Sequence, residues 1–180
     1  MSEQEKFVPP EALEIISQVE PTEAVADLVS EVERPLSADS LAKIRDLIYA
    51  KIERRPVDES SAGPEKELRW KRTAGQILDD GYTYAGKDCT DLAVLFMAAC
   101  QALGHETRFV KLKKENKIHS VVEILLDDGW YAFDPSNRES VPAKGEISET
   151  QPWKDWQFWK KGRDAWDLGL TDFDSKSKIK

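Results

Sequence analysis

The stretch from Thr90 to Leu103 constrains the fold of this chain more than any other. It contains Leu92, Ala93, Val94, Leu95, Phe96, Met97, Ala98, Ala99 and Cys100, and no charged residue after Asp91. A helix that is apolar on nearly all sides has to be buried. At fourteen residues it falls short of the roughly 20 that a membrane span needs. Gly104 stands where a helix stop belongs, and Asp88 or Cys89 where an N-cap belongs. The rest of the 180 residues must therefore form a shell around one central helix.

The patterning says what that shell is made of. Val25, Leu28, Val29 and Val32 form one helical stripe, and Leu41, Ile44, Leu47, Ile48 and Ile52 a second, with Ser37 or Ser40 as its cap. Residues 57–66 have loop composition. A third stripe runs through Trp70, Ala74, Ile77 and Leu78 to Gly81. Strand signals follow the central helix at Thr107–Leu112, Ile118–Leu126 and Trp130–Phe133, with a polar turn at Lys113–Lys117 and an Asp128-Gly129 hairpin signal. Helices first and an antiparallel sheet after them predict an α+β fold. Four of the six tryptophans fall in the last 28 residues, as core cover or as walls of a groove, and Ser175–Lys180 reads as a frayed end.

The net charge of −8 is uneven. Residues 1–35 carry nine acidic and two basic side chains, a net of −7, which leaves −1 for the other 145. The acidic N-terminal helices read as solvated faces, and the chain lacks the basic footprint that nucleic-acid binding requires. The acidic start has no apolar signal region, and no apolar run is long enough for a membrane span. With only Cys89 and Cys100, a disulfide scaffold is excluded and a cytoplasmic setting is expected.

Two cysteines and two histidines, His105 and His119, leave few candidates for a nucleophile and a neutral-pH base. Cys89 opens the central helix, where the free N–H groups and partial positive charge favour a thiolate. Polar neighbours on both sides place that end at solvent. His119 lies near the start of one strand, and Asp134 ends the next. Placing them opposite each other requires a four-residue loop at Leu125–Asp128. A tight Asp128-Gly129 turn keeps them on one face but four residues apart, too far for contact. Thiolate, imidazole and carboxylate are the three groups of nucleophilic acyl transfer. The Cys89 N–H and a side chain, Gln76, Tyr82 or Tyr84, would form the oxyanion hole. The bland readings are a buried small residue for Cys89, a surface position for His105, and a structural salt bridge or a surface role for each of Arg108 and Glu123. Cys100 lies about 16 Å along the same helix and is expected to be inert. That separation also argues against a zinc site from Cys89, Cys100, His105 and His119.

The ordered segments Gly86-Lys87-Asp88-Cys89-Thr90-Asp91-Leu92-Ala93, Gly104–Val110, His119–Glu123 and Gly129–Pro135 resemble the transglutaminase-like superfamily. Gly162–Gly169 is similar to a tail found in microbial members. The resemblance implies a papain-like core with N-terminal helices. It also implies Cys89 as nucleophile, His119 as base and Asp134 as orienting acid, with a protein or peptide substrate and no cofactor or metal. Protein-crosslinking members carry Trp directly after the nucleophile, whereas Thr90 stands here, and there is no room for the extra domains or calcium loops of the animal enzymes. The expected division is an acidic helical segment over 1–36, the transglutaminase-like domain over 37–172 and a polar tail over 173–180. The expected activity is that of a cysteine peptidase, amidase or acyltransferase, and the alternative is an inactive binding module with the same fold.

Overall fold

The computed structural model describes residues 17–180; the first part of the acidic segment lies outside them. The elements in chain order are α1 (Glu23–Leu28), α2 (Ala38–Lys51), β1 (Glu53–Arg55), α3 (Ala62–Leu68), α4 (Ala74–Asp80), β2 (Tyr82–Tyr84) and α5 (Cys89–Ala102). Then come β3 (Thr107–Lys114), β4 (Lys117–Leu126), β5 (Gly129–Phe133), β6 (Ala143–Lys144) and β7 (Gln157–Gly162), with short 3₁₀ turns between and after the last strands. The fold is α+β, as expected.

The apolar helix is α5, and every residue from Leu92 to Cys100 is buried. It packs against α1, α2 and α4 on one side and against β3 and β4 on the other. The antiparallel sheet runs in the order β6-β5-β4-β3-β7. Phe109, Val122, Ile124 and Phe133 face the helix core, with Phe96 and Phe133 rings 5.2 Å apart. Val110, Leu112, Val121 and Ala132 form a second, smaller core on the other face with Ile147 and Trp153. Burial on both faces explains why these strands read as nearly continuous apolar runs.

The β4–β5 hairpin follows neither of the two registers expected. Leu126 pairs with Gly129, so the turn is the two-residue Asp127-Asp128. Glycine stands just after the turn, at φ +127, and that positive φ is the reason for it there. His119 and Asp134 keep a common face with an offset of two residues instead of none or four. Such diagonal neighbours remain within side-chain reach.

Several local expectations change. Trp70 does not belong to the helix at 74–80: it has φ +62, and Thr73 caps α4 instead. The expected loop over 57–66 is helical in its second half, where α3 begins at Ala62. The aromatic tail supplies β7, which completes the sheet beside β3. The polar end is not frayed, since Phe173–Lys178 is a 3₁₀ helix with a capping box from Asp172 and Ser175.

The segment Gly162–Gly169 has a structural task. The buried Asp164 carboxylate accepts from Ser17 Oγ at 3.1 Å and from the Gln18 N–H at 2.9 Å. Gln18 in turn donates to the Trp70 and Arg72 carbonyls, and Trp166 Nε1 donates to the Trp70 carbonyl at 2.7 Å. Both ends of the described chain are thereby tied to the loop before α4. Val25, Val29 and Leu36 belong to the same core as α5, so no packing boundary falls at residue 36.

Candidate active site

Asp88 holds the start of α5 in place, although its side chain makes no helix cap. Its carboxylate takes a bidentate pair from Arg54 at 2.7 and 2.9 Å and a hydrogen bond from Thr83 Oγ1 at 2.8 Å. This anchors the first turn to the β1–β2 ribbon. Cys89 is then the first helical residue, partly exposed to a groove of about 390 Å³. Its first-turn N–H groups have no carbonyl one turn back to bond.

His119 lines the same groove from β4. Its Nε2 lies 2.7 Å from Asp134 Oδ2, which leaves Nδ1 as the ring nitrogen free for the thiol. Asp134 is steadied further by Ser136, whose hydroxyl and N–H both donate to Oδ1 at 2.7 and 3.0 Å. Behind it, α2 pins the loop that follows. Arg45 Nη1 donates to the Asn137 and Ser140 carbonyls at 3.2 and 2.8 Å, and Tyr49 Oη to the Pro135 carbonyl at 2.7 Å. The Trp156 ring leans against the imidazole, with centroids 5.7 Å apart.

The electrostatics favour an ion pair. Burial pushes the Cys89 thiol up, but hydrogen bonding to His119, the Lys111 and His119 charges and Ser120 outweigh it and bring it down to about 6. Burial pushes His119 down, but hydrogen bonds to Asp134 and Cys89 and their charges raise it to about 10. The Asp134 carboxyl feels burial as an upward push, yet His119 and Ser136 hold it below the ordinary range. Between those limits thiolate and imidazolium coexist, as one coupled pair. Cys100 has no such partners, and burial alone pushes its thiol far up.

Sequence reasoning missed Lys111. It is fully buried on β3, on the same strand face as Phe109. Its Nζ donates to Ser120 Oγ at 2.9 Å and to Thr90 Oγ1 at 3.4 Å, and lies 4.7 Å from the Trp70 ring centroid. No carboxylate pairs with it among the described residues, and the nearby Cys89 thiolate is its counter-charge. The available signal was a lysine inside a strand whose neighbours Val110 and Leu112 are apolar.

Gln76 requires a correction. It is exposed on α4, and its amide oxygen accepts from the Thr73 N–H at 2.9 Å as half of a capping box. Neither it nor Tyr82 nor Tyr84 lines the Cys89 groove. His105 is half-buried rather than a surface residue, with Nδ1 2.9 Å from the Leu125 carbonyl oxygen. Arg108 does reach the buried Glu123, at 3.5 Å, but Lys161 and the Ile147 N–H hold that carboxylate more closely. Among the described residues no cluster of three or more His, Cys, Asp or Glu side chains is placed to hold a metal ion, and no helix is long and apolar enough to cross a membrane.

No curated protein matches the sequence. Among solved structures, a putative cysteine protease from Cytophaga hutchinsonii is similar at 17% identity and a TM-score of 0.55. It aligns with 91% of this chain, which spans 50% of that protein's length. LapG of Legionella pneumophila is similar at 15% identity and a TM-score of 0.53, with 95% of this chain and 98% of that one covered. Its EGTA-treated form gives 12% identity and a TM-score of 0.54, over 97% and 99%. At these identities the likeness establishes the fold, which is cysteine-protease-like. Residues 23–135 match the transglutaminase-like superfamily, a span that includes helix α1 before residue 37, and the chain belongs to that superfamily.

Proposed function

We propose that the protein is a thiol enzyme that transfers an acyl group from an amide or peptide carbonyl through a thioester on Cys89. One observation carries this reading: the His119 imidazole, held at 2.7 Å by Asp134, shares one groove with the thiol that opens the buried helix. The thiolate attacks the carbonyl carbon, and the carbonyl π pair moves to oxygen. The oxyanion is met by the Cys89 N–H at the helix start. As the tetrahedral intermediate collapses, the C–N bond breaks and the imidazolium gives its proton to the leaving amine. Neutral imidazole then takes a proton from water, or from an acceptor amine, as that nucleophile attacks the thioester. The acyl group leaves as acid or new amide, and the thiolate–imidazolium pair is restored. Asp134 holds one tautomer and orientation of the ring throughout.

Iodoacetamide labelling tests the reading. Near neutral pH Cys89 should react far ahead of Cys100, and His119→Ala should slow it. Equal, sluggish labelling of both thiols would count against an activated nucleophile.

A further inference from the structure

The chain as a whole is acidic, yet Arg69, Lys87, Lys111, Lys117 and Lys176 all line the groove that holds Cys89, and among the described residues no Asp or Glu does. Arg69 is neutralised by the buried Glu65, to which it is bidentate. The four lysines have no carboxylate partner among the described residues. They come from four separate places: the turn before α5, the middle of β3, the start of β4 and the last 3₁₀ helix. Bringing them together costs mutual repulsion; at Lys111 burial chiefly lowers the ammonium, and the Arg69 and Lys176 charges add to it. A groove lined by one sign of charge in a low-dielectric wall concentrates the opposite sign.

We propose that this groove selects acyl donors with carboxylate side chains beside the scissile bond, so that the substrate is an acidic peptide. The proposal rests on Cys89 being the nucleophile. Carboxylates suit the geometry better than a phosphate. The cations are dispersed point charges along a groove, and its one guanidinium, Arg69, is already taken by Glu65 and offers no free fork for a phosphate. Trp156 and Trp70 supply apolar walls between the charges. Thioester formation discharges the thiolate and leaves Lys111 without its counter-ion. The groove then becomes more positive when an anionic acyl group has to be retained.

The test compares N-iodoacetyl amides of glutamate, glutamine, lysine and phosphoserine, with each rate at Cys89 divided by the same reagent's rate with free cysteine. The glutamate reagent should be favoured over the glutamine reagent about tenfold at low salt. The ratio should fall as salt is added, and the lysine reagent should be slowest. Lys87→Gln, Lys117→Gln and Lys176→Gln together should collapse the ratio towards one. Equal normalised rates for glutamate and glutamine, with Cys89 still labelled well ahead of Cys100, would overturn the substrate class and leave the nucleophile intact. Preference for phosphoserine without preference for glutamate would overturn the carboxylate assignment. Failure of every reagent at Cys89 would remove the nucleophile and the proposal with it.

Discussion

A buried ammonium that meets only hydroxyls and an aromatic ring is costly unless an anion lies close. Lys111 is such a group, and the Cys89 thiolate is the anion that makes its burial tolerable. Lys111→Met should therefore raise the apparent pKa of Cys89 alkylation by about one unit, while His119 still assists. An unchanged pH profile would refute this role for the lysine. In the unmodified protein the sign follows from both partners. Cys89 is lowered to about 6 and His119 raised to about 10, so the alkylation rate should climb as pH passes about 6 and then hold a plateau. Turnover, which also needs the imidazolium proton, should fall as pH passes about 10. Asp134→Asn removes the anion that holds the ring and should cost turnover about 10⁴-fold, more than it costs labelling. A turnover assay beside a labelling assay separates the two. At this scale the sequence already exposed Cys89, His119 and Asp134, because each is a scarce residue type or falls within an ordered motif. Lys111 was harder to read, since its one signal, a lysine between apolar strand neighbours, is faint among 26 basic residues until the fold buries it.

The elements that aim these side chains are a helix and two strands, and a fourth element keeps the acid in place. Helix α2 sends Arg45 and Tyr49 to the carbonyls of residues 135, 137 and 140, directly after Asp134. Arg45→Met would leave two of those carbonyls without their donor and should cost about 1–3 kcal/mol in urea unfolding. It should also slow Cys89 labelling, because the carboxylate then wanders from His119. Loss of stability with labelling untouched would show that the loop is held by other means. Periodicity revealed α2 and α5, whose stripes are long, and it revealed β3 to β5. It failed at Trp70, which has a left-handed backbone and precedes a helix that starts only at Ala74, one turn later than the stripe. It also missed β7, whose Lys160 and Lys161 beside Phe158 and Trp159 look like a tail until β3 offers them an edge. The hairpin register depended on a two-residue turn of two aspartates, which turn preferences alone do not favour over the neighbouring Asp-Gly.

At the scale of the molecule, the steep fall in acidity after residue 35 resembles a domain boundary, and the packing contradicts it. Charge is set by exposed residues and cohesion by buried ones, and in residues 17–36 the two alternate. Val19, Val25, Val29 and Leu36 are buried with α5, while Glu20, Glu23, Asp27 and Glu33 face solvent. Burying each of those apolar side chains contributes about 1.5–3 kcal/mol, so the four together rival the whole stability of an ordinary domain, about 5–15 kcal/mol. Removing them also strips Asp164 of its Ser17 and Gln18 donors and leaves a buried carboxylate short of partners. A chain beginning at residue 37 should therefore lose its cooperative thermal transition, and with it the preference of iodoacetamide for Cys89 over Cys100. Asp164→Ala in the full chain should act in the same direction more mildly. It should destabilise by about 2–4 kcal/mol, since the Gln18 and Asp167 N–H groups lose their acceptor, and should first release the amides near residue 18 to hydrogen exchange. A sharp melt and retained thiol selectivity in the shortened chain would restore the boundary at 36, and would make the buried valines ornaments of an already sufficient core.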